Sequence, residues 1–135
     1  LMDNAQEFLR QNPMITTFDA FVVDANGIAR GKKIPIHDLD KVFTQQEQNY
    51  CLEHSQCARH FAGRFAAKEA LVKALGTGLK GGISWHDFEI LNDRAGKPYV
   101  IISDSIKTKF SDVKFMVSIS HCKKYATAFA ICYID

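Results

Sequence analysis

The chain has 135 residues, 47% of them hydrophobic and 24% charged, with a formal net charge of +2. That length suits one domain able to bury a core without staples. The slight positive charge calls for no nucleic acid, although basic residues gathered on one face would suit an acidic protein partner. Cys51, Cys57, Cys122 and Cys132 make neither a C-x-x-C nor a zinc-type spacing, and read as reduced, mostly structural thiols of a cytoplasmic protein. No stretch is long and apolar enough to span a bilayer, and the start lacks a basic-then-apolar signal pattern.

Residues 2–11 read as a short amphipathic helix that Pro13 closes. Thr17–Val23 is a strand by its aromatic and β-branched content, and Asp24-Ala25-Asn26-Gly27 is a turn. Residues 28–34 form a basic second strand, which Pro35 breaks. Thr44 and Glu47 have the spacing of a capping box, so a helix starts there and runs through Leu52. A polar link around residues 54–56 leads to a long helix from about Cys57 to Leu75. Phe61, Phe65, Val72 and Leu75 give that helix an apolar face, and Gly76 stops it. Residues 83–90 read as a strand, 92–96 as a turn, and 97–102 as the partner strand, with Pro98 tolerated only at its beginning or edge. One short helix fits in 103–111. Residues 114–120 alternate as a strand, 121–124 link, and 125–134 form the last strand. The reading is α+β, a long helix packed on an antiparallel sheet, in one domain spanning 1–135 with an atypical opening at 1–40.

The most informative string is Arg64-Phe-Ala-Ala-Lys68-Glu69-Ala-Leu-Val-Lys73-Ala-Leu-Gly76-Thr77-Gly78. Glu69 and Lys73, four apart, share one helical face, as any exposed ion pair does. The whole string, however, resembles the signature helix of the holo-acyl-carrier-protein synthases, small bacterial phosphopantetheinyl transferases. Phe43-Thr44-x-x-Glu47-x-x-Tyr50-Cys51 and Ser118-Ile-Ser-His121 followed by Lys124-Tyr-Ala carry the same resemblance from about residue 42 to 135. It implies transfer of 4′-phosphopantetheine from coenzyme A to a serine of apo acyl carrier protein, Mg²⁺-dependent, in fatty acid biosynthesis. It also implies a cytoplasmic homotrimer with active sites between subunits.

On that resemblance Glu69 would be a metal ligand and catalytic carboxylate, and Lys73 would contact phosphate and stabilise the leaving group. His121 would contact coenzyme or the metal-bound water. Arg64 and Lys68 would touch phosphate or the partner, and Gly76, Thr77 and Gly78 would let backbone approach the coenzyme. The second metal ligand would be Asp24, because Asp24 and Arg30 keep the family's D-x5-R spacing after a strand; Asp-x-Asn-Gly also reads as a plain turn, and Asp19 is the alternative ligand. The opening Phe18-Asp-Ala-Phe-Val-Val-Asp24-Ala-Asn-Gly-Ile-Ala-Arg30-Gly-Lys-Lys-Ile-Pro35 instead resembles the N-terminal segment of glutamine-synthetase-like ligases. Two further hypotheses therefore stand beside the transferase: a non-catalytic coenzyme A or carrier-protein binding module with an incomplete metal site, and a ligase-derived fragment.

Overall fold

The computed structural model describes residues 17–23, 29–35 and 38–135. Strands β1 (Thr17–Val23) and β2 (Ala29–Pro35) pair antiparallel with Thr17 opposite Pro35 and Val23 opposite Ala29. The helix expected over 2–11, the turn at 24–27 and the metal-ligand assignment of Asp24 all lie outside the described residues.

A single turn, α1 (Leu39–Val42), precedes α2 (Gln45–Leu52). The capping box is formed as its spacing requires: the Glu47 amide donates to Thr44 Oγ1 at 3.3 Å, and the Thr44 amide donates to Glu47 Oε1 at 2.9 Å. Two orphan donors are thereby satisfied before the helix begins. Helix α3 (Cys57–Leu75) follows, and its 19 residues hold no proline. It ends where Gly76 takes φ 87°, a left-handed conformation that a side chain would oppose, and the Gly76 amide closes onto the carbonyls of Val72 and Lys73.

The strand expected over 83–90 is only half a strand. Ser84 and Asp87 cap each other around a 3₁₀ turn, Trp85–Asp87, with the Ser84 amide donating to Asp87 Oδ2 at 2.8 Å. β3 (Phe88–Asn92) begins after it and pairs with β4 (Pro98–Ile102), where Pro98 takes the first position. Ser103 caps α4 (Asp104–Lys109) and ties it back by donating its hydroxyl to Asp87 Oδ1 at 2.7 Å. β5 (Val113–His121) and β6 (Ala126–Ile134) form the longest hairpin.

The α+β expectation holds with one difference. Among the described residues the strands make three separately bonded antiparallel pairs rather than one continuous sheet. The pairs lie side by side, β1 next to β6 and β4 next to β5, while α3 crosses β1, β3, β5 and β6. Phe61 and Phe65 are each 1% exposed, so each phenyl contributes about 2–3 kcal/mol of burial. They join Leu39, Phe43 and Cys51 under α1 and α2, whereas Leu71 and Val72 pack on Phe88, Ile90, Ile106 and the inward side chains of β5 and β6. The outward faces of β4, β5 and β6 carry several apolar side chains: Tyr99, Ile101, Met116, Phe129 and Ile131 are all exposed, Phe129 by 67%.

Candidate active site on the signature helix

Helix α3 sorts its charged residues by face. Lys68 points into the core and is fully buried. Its Nζ lies 2.8 Å from Glu47 Oε1 and donates to the carbonyls of Trp85 (2.9 Å) and Phe88 (2.7 Å). Glu47 Oε2 in turn accepts the Ile90 amide at 3.0 Å. Burial pushes the Lys68 ammonium below its ordinary range, and the Glu47 carboxylate works against that shift. Every strong partner of Lys68 is internal, so the expectation that it touches phosphate is corrected. It fastens α2, α3 and β3 together.

One residue on, Glu69 is half-buried, and Lys73 a turn later is exposed. Thr77 and Gly78 are half-buried beyond the helix stop, and Thr77 donates its hydroxyl to the Gly78 carbonyl at 3.1 Å. Gly76 and Gly78 both have positive φ, and a Cβ at either would meet nothing within 4 Å. Their glycine is therefore required by backbone conformation, and the space in front of them is open.

Arg64 faces a different direction, with only 3% of its surface exposed. Its guanidinium carbon sits 4.0 Å from the Tyr50 ring centroid, and Nη2 donates to Asn92 Oδ1. Asn92 also donates from Nδ2 to the Gly96 carbonyl at 2.8 Å, which braces the β3–β4 turn. Arg64 Nε has no hydrogen-bond partner among the described residues. Arg64 is one wall of a cavity of about 140 Å³ lined also by Tyr50, His60, Gly63, Asn92, Gly96, Pro98, Ile119 and His121. A buried guanidinium in a cavity wall that also holds imidazoles supplies fixed positive charge suited to an anion.

Histidines complete the wall. His54 Nδ1 lies 2.8 Å from the Tyr50 carbonyl and must donate to it. The His54 and His60 rings are 4.0 Å apart, and His60 meets His121 edge-on at 5.2 Å. Burial first, then neighbouring positive and imidazole groups, pull His60 down to about 4.

The fold thus brings Arg64 and His121 to one cavity and leaves Glu69 and Lys73 further along the same helix. His60 was not singled out in the sequence, and Tyr50, Asn92 and Gly96 entered only as members of the 43–51 motif and of the 92–96 turn, not as site residues. The spacing Arg64 minus four for His60, and the Asn-x₃-Gly-Lys-Pro turn, are the signals that would have found them. Among the described residues no three His, Cys, Asp or Glu side chains converge as a metal cage. Mg²⁺ does not require one, since it keeps several waters and takes one or two carboxylates. Glu69 is a suitable oxygen donor for such an ion.

This chain belongs to the 4′-phosphopantetheinyl transferase superfamily, whose family model matches residues 23–130. Within it, the chain is similar to the holo-[acyl-carrier-protein] synthase of Protochlamydia amoebophila (strain UWE25), with 59% identity over 100 residues covering 74% of this chain and 82% of the relative. The corresponding synthase of Geobacter metallireducens (strain ATCC 53774 / DSM 7210 / GS-15) is 38% identical over 120 residues, covering 87% of this chain and 88% of the relative. A crystal structure of Helicobacter pylori holo-[acyl-carrier-protein] synthase in complex with coenzyme A superposes with a TM-score of 0.64 at 26% identity, covering 73% of this chain and 83% of that one. The family match begins inside the stretch that resembles a ligase.

Proposed function

We propose that this protein is a holo-acyl-carrier-protein synthase that moves 4′-phosphopantetheine from coenzyme A to a serine of apo acyl carrier protein. It would act in the cytoplasm and supply active carrier for fatty acid biosynthesis. The observation that carries this reading is the cavity lined by Arg64 and His121, with Arg64 on the helix that also presents Glu69 and Lys73. Relatives that are synthases, one of them bound to coenzyme A, support the same assignment.

In the reaction the carrier serine gives its hydroxyl proton to a carboxylate or water, its oxygen bonds to the phosphorus bearing pantetheine, and the bridging P–O bond breaks. Adenosine 3′,5′-bisphosphate leaves. Arg64 and His121 hold phosphate at the cavity, and Lys73, as a mobile point charge, neutralises the leaving phosphate. Gly76, Thr77 and Gly78 offer an unobstructed backbone for the coenzyme. A Mg²⁺ held by Glu69, with Asp24 as the second carboxylate, would neutralise pyrophosphate charge.

The assembly we infer is a homotrimer. Tyr99, Ile101, Met116, Phe129 and Ile131 make an exposed apolar surface on β4, β5 and β6, and a surface of that kind is ordinarily covered by a partner. Sedimentation equilibrium should give three protomers per particle, and Phe129→Asp should give monomers; a monodisperse wild-type monomer would discard the trimer.

The activity is tested by the mass of apo acyl carrier protein after incubation with the protein, coenzyme A and Mg²⁺. A gain of one phosphopantetheine, lost with EDTA, is expected. No gain with coenzyme A still bound would make this chain a binding module instead.

A further inference from the structure

The cavity wall carries more imidazole than one phosphate needs. His60 stands one helical turn before Arg64, lines the cavity, and touches rings on both sides: His54 from the link after α2, and His121 from the end of β5. Tyr50 adds a phenol edge at 5.7 Å. The charged or titratable groups acting on His60 are Arg59 and Arg64 on its own helix, His54 beyond α2, and His121 on β5. No carboxylate is among them. An imidazole so placed is neutral when the cavity is empty, because protonation would add a cation to an array already rich in them.

An anion in the cavity reverses that balance. We propose that His60 takes a proton from solvent when a phosphate dianion enters the cavity, so that coenzyme binding is coupled to proton uptake and tightens as pH falls. The inference rests on the reading of the cavity as the place of a coenzyme phosphate, and it adds a residue and a pH dependence to that reading. Arg64 supplies the charge that does not vary with pH, and His60 the charge that appears on binding. His54, whose Nδ1–H is committed to the Tyr50 carbonyl, backs the His60 ring.

The test is calorimetric titration of the full chain with adenosine 3′,5′-bisphosphate at pH 6.5, in two buffers of different ionisation enthalpy. Wild type is compared with His60→Phe, which keeps a ring in the stack. The ligand's own phosphate ionisation is common to both and cancels. If binding returns His60 from about 4 to its ordinary 6.5, wild type takes up about half a proton more per ligand than the variant. Its Kd then tightens about tenfold more than the variant's between pH 7.5 and 5.5. Equal proton counts with binding intact would overturn the inference and leave the phosphate reading standing. Failure of wild type to bind the nucleotide would overturn both. If His60→Phe does not fold, NMR titration of the His60 ring in free and liganded wild type decides: an unchanged pKa refutes the proposal.

Discussion

Replacing Lys68 by methionine removes the cation from the buried cluster while keeping most of its apolar stem. Three interactions go at once, at 2.8 Å to Glu47, 2.9 Å to the Trp85 carbonyl and 2.7 Å to the Phe88 carbonyl. What remains is a carboxylate shielded from solvent, held by two backbone amides, and two carbonyls without their donor. Breaking a fully buried pair from one side costs about 3–5 kcal/mol, because the surviving charge is left uncompensated. For a chain of 135 residues that corresponds to a fall of about 10–15 °C in Tm. The assay is urea and thermal unfolding followed by circular dichroism, at one protomer concentration so that assembly does not move the midpoint. The double variant Glu47→Gln/Lys68→Met should recover about half of the loss. Its carboxamide can still accept from Ile90 and can donate to a freed carbonyl, so the coupling energy is about 2 kcal/mol plus whatever Glu47→Gln costs alone. A loss under about 1 kcal/mol in Lys68→Met, or transferase activity abolished at full stability, would refute the structural role and return Lys68 to the substrate.

Three further outcomes follow from the same geometry. Glu69→Gln should lower Mg²⁺-dependent transfer by at least about 100-fold, the upper end of what losing even an outer-shell partner costs, with Tm unchanged; near-normal turnover would remove Glu69 from the reaction. Thiol labelling should be ordered: Cys122, exposed and pulled down by the Lys124 and Tyr125 amides, reacts first with iodoacetamide, whereas Cys51, buried and pushed up to about 12, reacts only on unfolding. Peptide mass mapping over time reads that order, and early Cys51 modification would contradict the burial. Acid should destabilise the protein through His60. Its folded value of about 4 lies below the ordinary 6.5, so the unfolded chain binds the extra proton between those values, and stability falls as pH drops through that window. Urea midpoints at pH 7 and 5 should differ more for wild type than for His60→Phe, and equal differences would place the loss elsewhere.

Local chemistry made much of this fold legible. Thr44 and Glu47 announce α2, Gly76 ends α3, and the alternation from Phe115 to Ile119 marks β5, because each signal acts within a few residues of its cause. Other features escaped for the opposite reason. Lys68 looked solvent-facing because its partner Glu47 lies on another helix, and no i,i+4 rule reaches that far. Apolar Ile83 and Trp85 suggested strand, but Ser84 and Asp87 satisfy each other locally and take the chain through a turn first. Arg64 and His121 were legible through family resemblance, but their shared cavity was not. It is made where α3, the β3–β4 turn and the end of β5 come together.

The Glu47–Lys68 cluster also governs the order in which the molecule can be built. Two of the three acceptors for Lys68 belong to the segment 85–88, and Glu47 reaches Ile90 across 43 residues of chain. Helices form in about a microsecond or less, but closing so long a loop is slower and entropically costly. Both charges therefore stay hydrated until β3 docks, and stripping their water belongs to a late step of folding. The reverse path carries the same toll: water must re-enter between α2, α3 and β3 before they can separate. A bond placed so late holds the door shut, setting how long the native state lasts more than how fast it is reached.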